Sequence, residues 1–186
     1  MSRVLMDEVV ETDYGQFDLI WFDPPHGPGG FDGEHEKFFA NQVNGLVGAA
    51  VPSGVYINLA RRSGGSLVRI VLEDVEPAAP DASWEDVVEV SSEVPDGVEP
   101  RWESWAGETG GDLDLPAGRY RIRVSAQGRD TGHDDEFAEG VVDHYLVQLW
   151  PAAPERDEIV RVGSSSARYW HAECGSRLEA PAADGR

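Results

Sequence analysis

Residues 113–126 read LDLPAGRYRIRVSA, and this stretch constrains the fold more sharply than any other in the chain. Tyr120, Ile122, Val124 and Ala126 alternate with Arg119, Arg121, Arg123 and Ser125. A period of two predicts a β-strand, with one face in a core and three arginines on the other. Pro116, Ala117 and Gly118 turn the chain into that strand. A Leu-x-Leu-Pro-x-Gly-x-Tyr entry suits a loop that crosses from one sheet of a sandwich to the other, where the tyrosine hydroxyl satisfies loop backbone.

Further stretches repeat the pattern. QFDLIWFD (16–23) puts Phe17, Leu19 and Trp21 on one face, with Tyr14 expected to cap the same core. Residues 45–52 and 55–60 predict a hairpin about Ser53 and Gly54. LVRIVL (67–72) is apolar enough for a central strand, and 61–66 ahead of it reads as a flexible basic connection. Strands are also expected at 84–94 and at 141–150, with a short edge strand at 159–162. The 141–150 strand carries apolar groups on both faces and His144 among them, a core or interface histidine by default. Phe38, Phe39 and Val43 fall at helical spacing within 34–44, the one short helix expected, and 166–174 fits either a strand or a helical turn. Residues 1–15 read as a polar leader. Short strands, turn chemistry between them and no βαβ rhythm predict an antiparallel β-sandwich of about eight strands with one short helix. The expectation is a single domain over 1–177 and a flexible tail over 178–186.

At 186 residues the chain can bury roughly 70% of its unfolded surface and needs neither metal nor disulfide to fold. Its one cysteine, Cys174, makes no internal bridge. That suits a reducing cytoplasm, and no apolar run reaches the length of a membrane span, so a cytoplasmic protein is expected.

Charge narrows the function classes. There are 35 acids against 15 bases, a formal net charge of −20. Residues 73–118 hold fourteen acids and one base, Arg101, and so contribute −13 of it. Such a surface repels nucleic-acid phosphates and anionic membranes and attracts basic partners. Only Lys37 among the bases is a lysine, a bias expected of a GC-rich genome, in which part of the acidity is proteome-wide.

Catalytic and metal motifs are weak. His26 and His35 share a Pro- and Gly-rich loop with Asp23, Asp32 and Glu34, but at no established ligand spacing. The loop holding Asp130, Asp134, Asp135 and Glu136 is rich in oxygen donors for Ca²⁺, yet lacks the alternating order of a dedicated calcium loop. A Ca²⁺-dependent or carbohydrate-binding module is therefore the alternative reading, and a solvated acidic turn the simpler one. Cys174 lies beside His171 and Glu173 as a reactive thiol or a small packed residue, and no Gly-x-Ser-x-Gly elbow occurs. The sequence implies neither an enzyme nor a cofactor.

What remains is a surface. Trp84, Trp102 and Trp105 sit among carboxylates, and an aromatic anchor ringed by charge is how tight interfaces are often built. The candidate partner-binding set is Trp84, Glu85, Asp86, Glu89, Trp102, Glu103, Trp105, Asp112 and Asp114. Trp84 fits a core tryptophan equally well, whereas Trp102 and Trp105, in a loop flanked by Pro and Gly, are expected to resist burial. Glu85, Asp86 and Glu89 are expected to stay solvated, and Arg119, Arg121 and Arg123 to pair across the sheet with carboxylates such as these.

The succession QFDLIWFD, GLVGAAVPSGVYINLA, WEDVVEVS, LDLPAGRYRIRVSA and VVDHYLVQLW resembles the layout of the competence protein J family, small acidic inhibitors of DNA-entry nucleases. The resemblance spans residues 14–149, and this chain adds a segment from Trp150 onward. It implies a β-rich bacterial inhibitor or immunity-type protein that binds a basic nuclease or toxin and presents carboxylates in place of phosphates.

Overall fold

Alternating apolar residues do build strands here, and they build two sheets. The computed structural model describes residues 2–22, 35–135 and 138–175. Its strands are β1 (Arg3–Asp13), β2 (Gln16–Ile20), β3 (Val47–Gly48), β4 (Gly54–Asn58), β5 (Ser63–Leu72), β6 (Asp86–Val94), β7 (Arg101–Ser104), β8 (Gly110–Asp112), β9 (Gly118–Gln127), β10 (His144–Pro151) and β11 (Glu158–Arg161). Two short helices follow β9 and β11: α1 (Arg129–Asp134) and α2 (Ser165–Trp170). One sheet has the order β1-β5-β10-β9-β6-β11, the other β3-β4-β2-β7-β8. Eleven strands among the described residues replace the eight expected. The larger sheet is mixed rather than antiparallel, because β10 runs parallel to β5 while pairing antiparallel with β9.

The undercount has physical causes. Residues 3–13 are an edge strand whose apolar pattern is broken by a register shift between Val4 and Met6. Met6, Val10 and Thr12 are buried and Leu5 packs partly against the core, at no regular spacing, so the stretch reads as polar although it pairs along its length with β5. β5 itself starts at Ser63, inside the stretch taken for a flexible link. Arg61 just before it is buried and donates to Ser63 O and Gly65 O, both at 3.0 Å. The segment expected as a helix over 34–44 holds a single 3₁₀ turn at His35–Phe39, and 166–174 falls within α2 and the wider turn that follows it at His171–Gly175.

Between β1 and β2 the chain changes sheets within two residues. Tyr14 and Gly15 both take positive φ, 58° and 66°. A Cβ on Gly15 would stand 2.4 Å from Leu59 O, so only glycine fits. Tyr14 is 60% exposed, contrary to the core-capping role expected for it, because this corner turns its ring outward.

A single apolar cluster draws on both sheets. Phe17, Leu19, Val55, Ile57 and Trp102 come from the smaller one, and Val68, Ile70, Val88, Val90, Ile122, Val124, Val147 and Leu149 from the larger. The period-two prediction for β9 holds: Tyr120, Ile122, Val124 and Ala126 are buried in this core. The Tyr120 hydroxyl donates to Pro116 O at 2.8 Å, the loop bond that the motif foretold.

The other face of β9 is wet only at its ends. Arg121 and Arg123 are buried and share one carboxylate, Arg121 Nε at 3.1 Å from Glu89 Oε2 and Arg123 Nε at 2.7 Å from Glu89 Oε1. Flanking crossovers cover them: Arg121 Nη1 donates to Arg156 O at 2.8 Å and Arg123 Nη1 to Ala78 O at 2.7 Å. Arg119 pairs with Glu93 in the open, 3.1 Å apart. Cross-strand pairing therefore runs through Glu89 and Glu93, not Glu85 or Asp86.

Where the two sheets meet α1 and α2, Arg129 is 1% exposed. Its guanidinium donates to Asn58 O at 2.7 Å, Asn58 Oδ1 at 3.0 Å and Ser166 Oγ at 3.3 Å, and lies 4.0 Å from Asp86 Oδ2. Asp86 in turn accepts from Gly163 N, Ser164 N and the Ser164 hydroxyl. Beside the guanidinium, the Tyr145 hydroxyl donates to Asp143 Oδ2 at 2.8 Å and accepts from Ala60 N at 2.6 Å. Burial pushes that phenol far above its ordinary pKa, so it remains a neutral donor. Removing a buried cation strands carboxylates and carbonyls without donors. Arg129→Ala should therefore lower the urea-unfolding free energy by about 3–5 kcal/mol, and Arg129→Lys should recover only part of that, since an ammonium cannot reach the same partners in one plane.

Candidate functional site

The candidate set divides into interior and surface. Asp86 and Glu89 are buried, against the expectation that they stay solvated, because each is held by the polar networks described above. Trp102 is 5% exposed and stacks on Phe17 with ring centroids 5.7 Å apart, so the loop expected to keep it out is in fact β7. All three side chains lie in the interior. Trp84 is half-buried and lines an open groove on the outer face of the larger sheet together with Arg69, His144 and Gln148. Glu85 beside it is exposed and accepts from Gly128 N at 2.9 Å.

Glu103, Trp105 and Asp112 lie on β7, β8 and the turn between them, and Asp114 just past β8. Asp112 and Asp114 are exposed, Asp114 paired with Arg3. Glu103 and Trp105 are half-buried and border a cleft of about 300 Å³ whose floor is Gln16 and Asp18 of β2. Asp18 belongs to no motif. Within QFDLI it stands opposite Phe17 and Leu19, on what looks like a solvent face. In the sheet it pairs with Tyr56 of β4 on one side and Glu103 of β7 on the other. The usable signal was a carboxylate in the middle of an otherwise apolar strand.

Asp18 is only 2% exposed. Its Oδ2 accepts from Gln16 Nε2 at 2.6 Å, and its Oδ1 has no hydrogen-bond partner among the described residues. Burial pushes its carboxyl up to about 7, Gln16 acts against the rise and the neighbouring charge of Glu103 adds to it. Glu103 accepts from Arg101 Nε at 2.7 Å. Trp105 opens a 3₁₀ turn in which Ala106 takes φ 53°, a conformation that costs a residue with a side chain. The Trp105 ring meets that of Tyr14 at 5.1 Å, and the Arg62 guanidinium lies 5.4 Å over the Tyr14 ring. The result is a concave acidic floor with an aromatic rim, suited to a cationic group.

The other candidate clusters are structural or undescribed. The Asp130 carboxylate accepts from Ser165 N at 3.0 Å and Ser166 N at 2.8 Å, which caps α2 and holds its pKa below the ordinary range. Asp134 and Asp135 are exposed, and Glu136 lies outside the described residues. Among the described residues no group of three or more His, Cys, Asp or Glu side chains is arranged to hold a metal. His26 lies outside the described residues, as do Asp23, Asp32, Glu34 and the side chain of His35. Cys174 is buried against Phe38, Phe39 and Tyr56, the packed role weighed for it. His171 Nδ1 accepts from Gly45 N at 3.0 Å, and burial holds its pKa below the ordinary value. No helix of the described residues is long and apolar enough to cross a membrane.

Neither a family model nor a curated protein matches the sequence. Solved structures do match the fold. ComJ from Bacillus subtilis, an inhibitor of the DNA-degrading activity of NucA, superposes with a TM-score of 0.55 at 18% identity, over 82% of this chain and 99% of ComJ. The crocagin biosynthetic gene J product matches with the same TM-score at 15% identity, over 82% of this chain and 99% of its own. The resemblance read from the strand succession is thus a resemblance of fold.

Asp18 makes folding pH-dependent in a definite direction. Its folded pKa lies above the unfolded one, so its contribution is fully present below the unfolded value near 3.8 and is lost as pH rises through about 7. Asp18→Asn removes that loss. Measured by urea unfolding across pH 4 to 8, the stability of Asp18→Asn relative to the parent should rise by up to about 1.4 kcal/mol per pH unit within this window; a constant difference would refute the assignment.

Proposed function

We propose that this chain is a non-enzymatic acidic binding domain of inhibitor or immunity type, which neutralises a basic nuclease or toxin. The observation that carries the reading is where the charge resides. Among the described residues, Arg61, Arg121, Arg123 and Arg129 are buried, and so are Asp18, Asp86, Glu89 and Asp143. Counted as formal charges these four and four cancel, and the net −20 belongs to the rest of the chain. Of the fourteen acids in 73–118, ten are exposed, among them Glu99, Glu108, Asp112 and Asp114 around the β7–β8 unit. An acidic field of this kind speeds encounter with a basic protein, and a partly desolvated aromatic gives the contact an anchor. The fold shared with ComJ, itself an inhibitor of a nuclease, supports the same reading.

On this proposal the contact surface centres on Glu103, Trp105, Asp112 and Asp114. Trp84 and Glu85 lie beside the separate groove on the larger sheet, and Asp86, Glu89 and Trp102 support the scaffold from inside. Immobilised chain should retain a DNA-degrading activity from lysate of the source cell at low salt and release it at high salt, and added soluble chain should suppress that activity. Glu108→Lys with Asp112→Lys should weaken the suppression roughly ten- to hundredfold, chiefly through association rate. Retained proteins without any such activity, or suppression untouched by the reversal, would overturn the proposal.

A further inference from the structure

The cleft beneath Trp105 holds something that the inhibitor reading does not need: a buried carboxylate oxygen, Asp18 Oδ1, with no donor among the described residues. A buried acceptor left without a donor costs on the order of 1–3 kcal/mol, more when charged. Gln16 is spent on Oδ2, and Arg101, across the strand pair from Ile20, is turned to Glu103. We infer that the cleft between β2 and β7 is a receptor for one organic cation, the guanidinium or ammonium end of a basic side chain, seated between Asp18 and Glu103 under the Trp105 ring.

Each element of the cleft fits that ligand. The free Asp18 oxygen accepts an N–H, and Glu103 adds a second acceptor 25% exposed at the mouth. The indole face attracts a cation, most strongly when water is excluded. About 300 Å³ accommodates the end of an arginine or lysine side chain rather than a whole peptide. Two carboxylates and an amide make too small a donor set for Ca²⁺, which takes six to eight oxygens. Burial governs the titration of Asp18, with Gln16 on the same strand acting against the rise and Glu103 from β7 adding to it; Arg101 of β7 is paired with Glu103, and Tyr56 of β4 stays neutral because burial and the Asp18 charge push its phenol up. The cation requires Asp18 ionised, so affinity should rise with pH.

That the cation is carried by a protein partner rests on the proposed inhibitor role; cation binding by the cleft does not. The first test therefore uses small probes on the isolated chain: N-acetyl-arginine methylamide and its lysine counterpart, with CaCl₂ and the uncharged citrulline analogue as comparisons, followed by the Trp105 indole N–H resonance. The arginine or lysine probe should shift that resonance at millimolar concentration, and do so roughly thirtyfold more weakly at pH 5.5 than at pH 8.5, in proportion to the ionised fraction of Asp18. Asp18→Asn and Glu103→Gln, each checked by thermal unfolding, should each weaken the response at least tenfold. The larger of the two probe responses decides between guanidinium and ammonium. An equal shift with citrulline, a tighter response to Ca²⁺, or full binding by Asp18→Asn would overturn the inference. A second test compares Asp18→Asn with the parent in suppressing the captured DNA-degrading activity. Loss of suppression supports the cleft as the seat of a partner's basic side chain. Suppression unchanged by the substitution overturns that role, while the probe result still decides cation binding separately.

Discussion

Buried Arg129 is the joint on which this molecule depends. It leaves β9 through a left-handed glycine, Gly128, and enters the space where the edges of both sheets meet the two short helices. From there it reaches Asn58 of the smaller sheet and Ser166 of α2, and it faces the Tyr145 ring of the larger sheet at 6.0 Å. An apolar residue could fill the volume but could not satisfy the carbonyl of Asn58 or stand beside Asp86. Buried ion pairs contribute little net stability over a well-packed apolar core. What they add is a single permitted arrangement, since sliding either sheet by one residue would leave several buried acceptors without donors.

A second consequence concerns charge. A chain at −20 repels itself when compact, and arginines scattered over the surface would relieve that only weakly. Here Arg121 and Arg123 are instead brought against the same carboxylate, Glu89, with Trp150 under the Arg123 guanidinium at 5.3 Å. The acidic strand β6 is thus neutralised where it is covered and left acidic where it is not. Stability and surface field are assigned to different carboxylates of one segment, so the exposed ones are free to vary their surroundings without loosening the sheet.

How much of this was legible follows from what each residue's neighbours are. β9 and its tyrosine bond, the 45–60 hairpin, the centrality of β5 and β10 and the edge strand β11 are all local patterns, and local periodicity reveals them. β1, β7 and β8 escaped because an edge strand with a register shift, and short strands rich in Gly and Trp, carry too little alternation to be seen. The parallel pairing of β5 with β10 is a long-range choice that no local pattern records. At the site, Glu103 and Trp105 were visible as an acid and an aromatic in a Gly-flanked stretch. Asp86 and Glu89 were misjudged as solvated because charge in a strand is ordinarily wet, and only the crossovers that cover them decide otherwise. Asp18 went unremarked for the same reason: its burial depends on β4 and β7, strands distant in sequence.

Asp18 then poses the question of why a carboxylate occupies that position at all. Asparagine would keep the bond with Gln16 as acceptor and avoid the desolvated charge, and serine or threonine would suit the strand better. Two further unfavourable choices stand within the same patch: Tyr14 and Ala106 both adopt left-handed backbone where glycine or asparagine would do so at lower cost, and both flank Trp105. Independent departures from local preference have no reason to coincide in space if each is merely tolerated. They coincide readily where a surface is shaped for a ligand that satisfies the carboxylate and packs on the rings, because the cost in the free protein is then offset in the complex. The scaffold around Arg129 is what allows a fold to carry such a patch, since its guanidinium, Asp86 and Tyr145 hold the sheets and helices together away from the cleft.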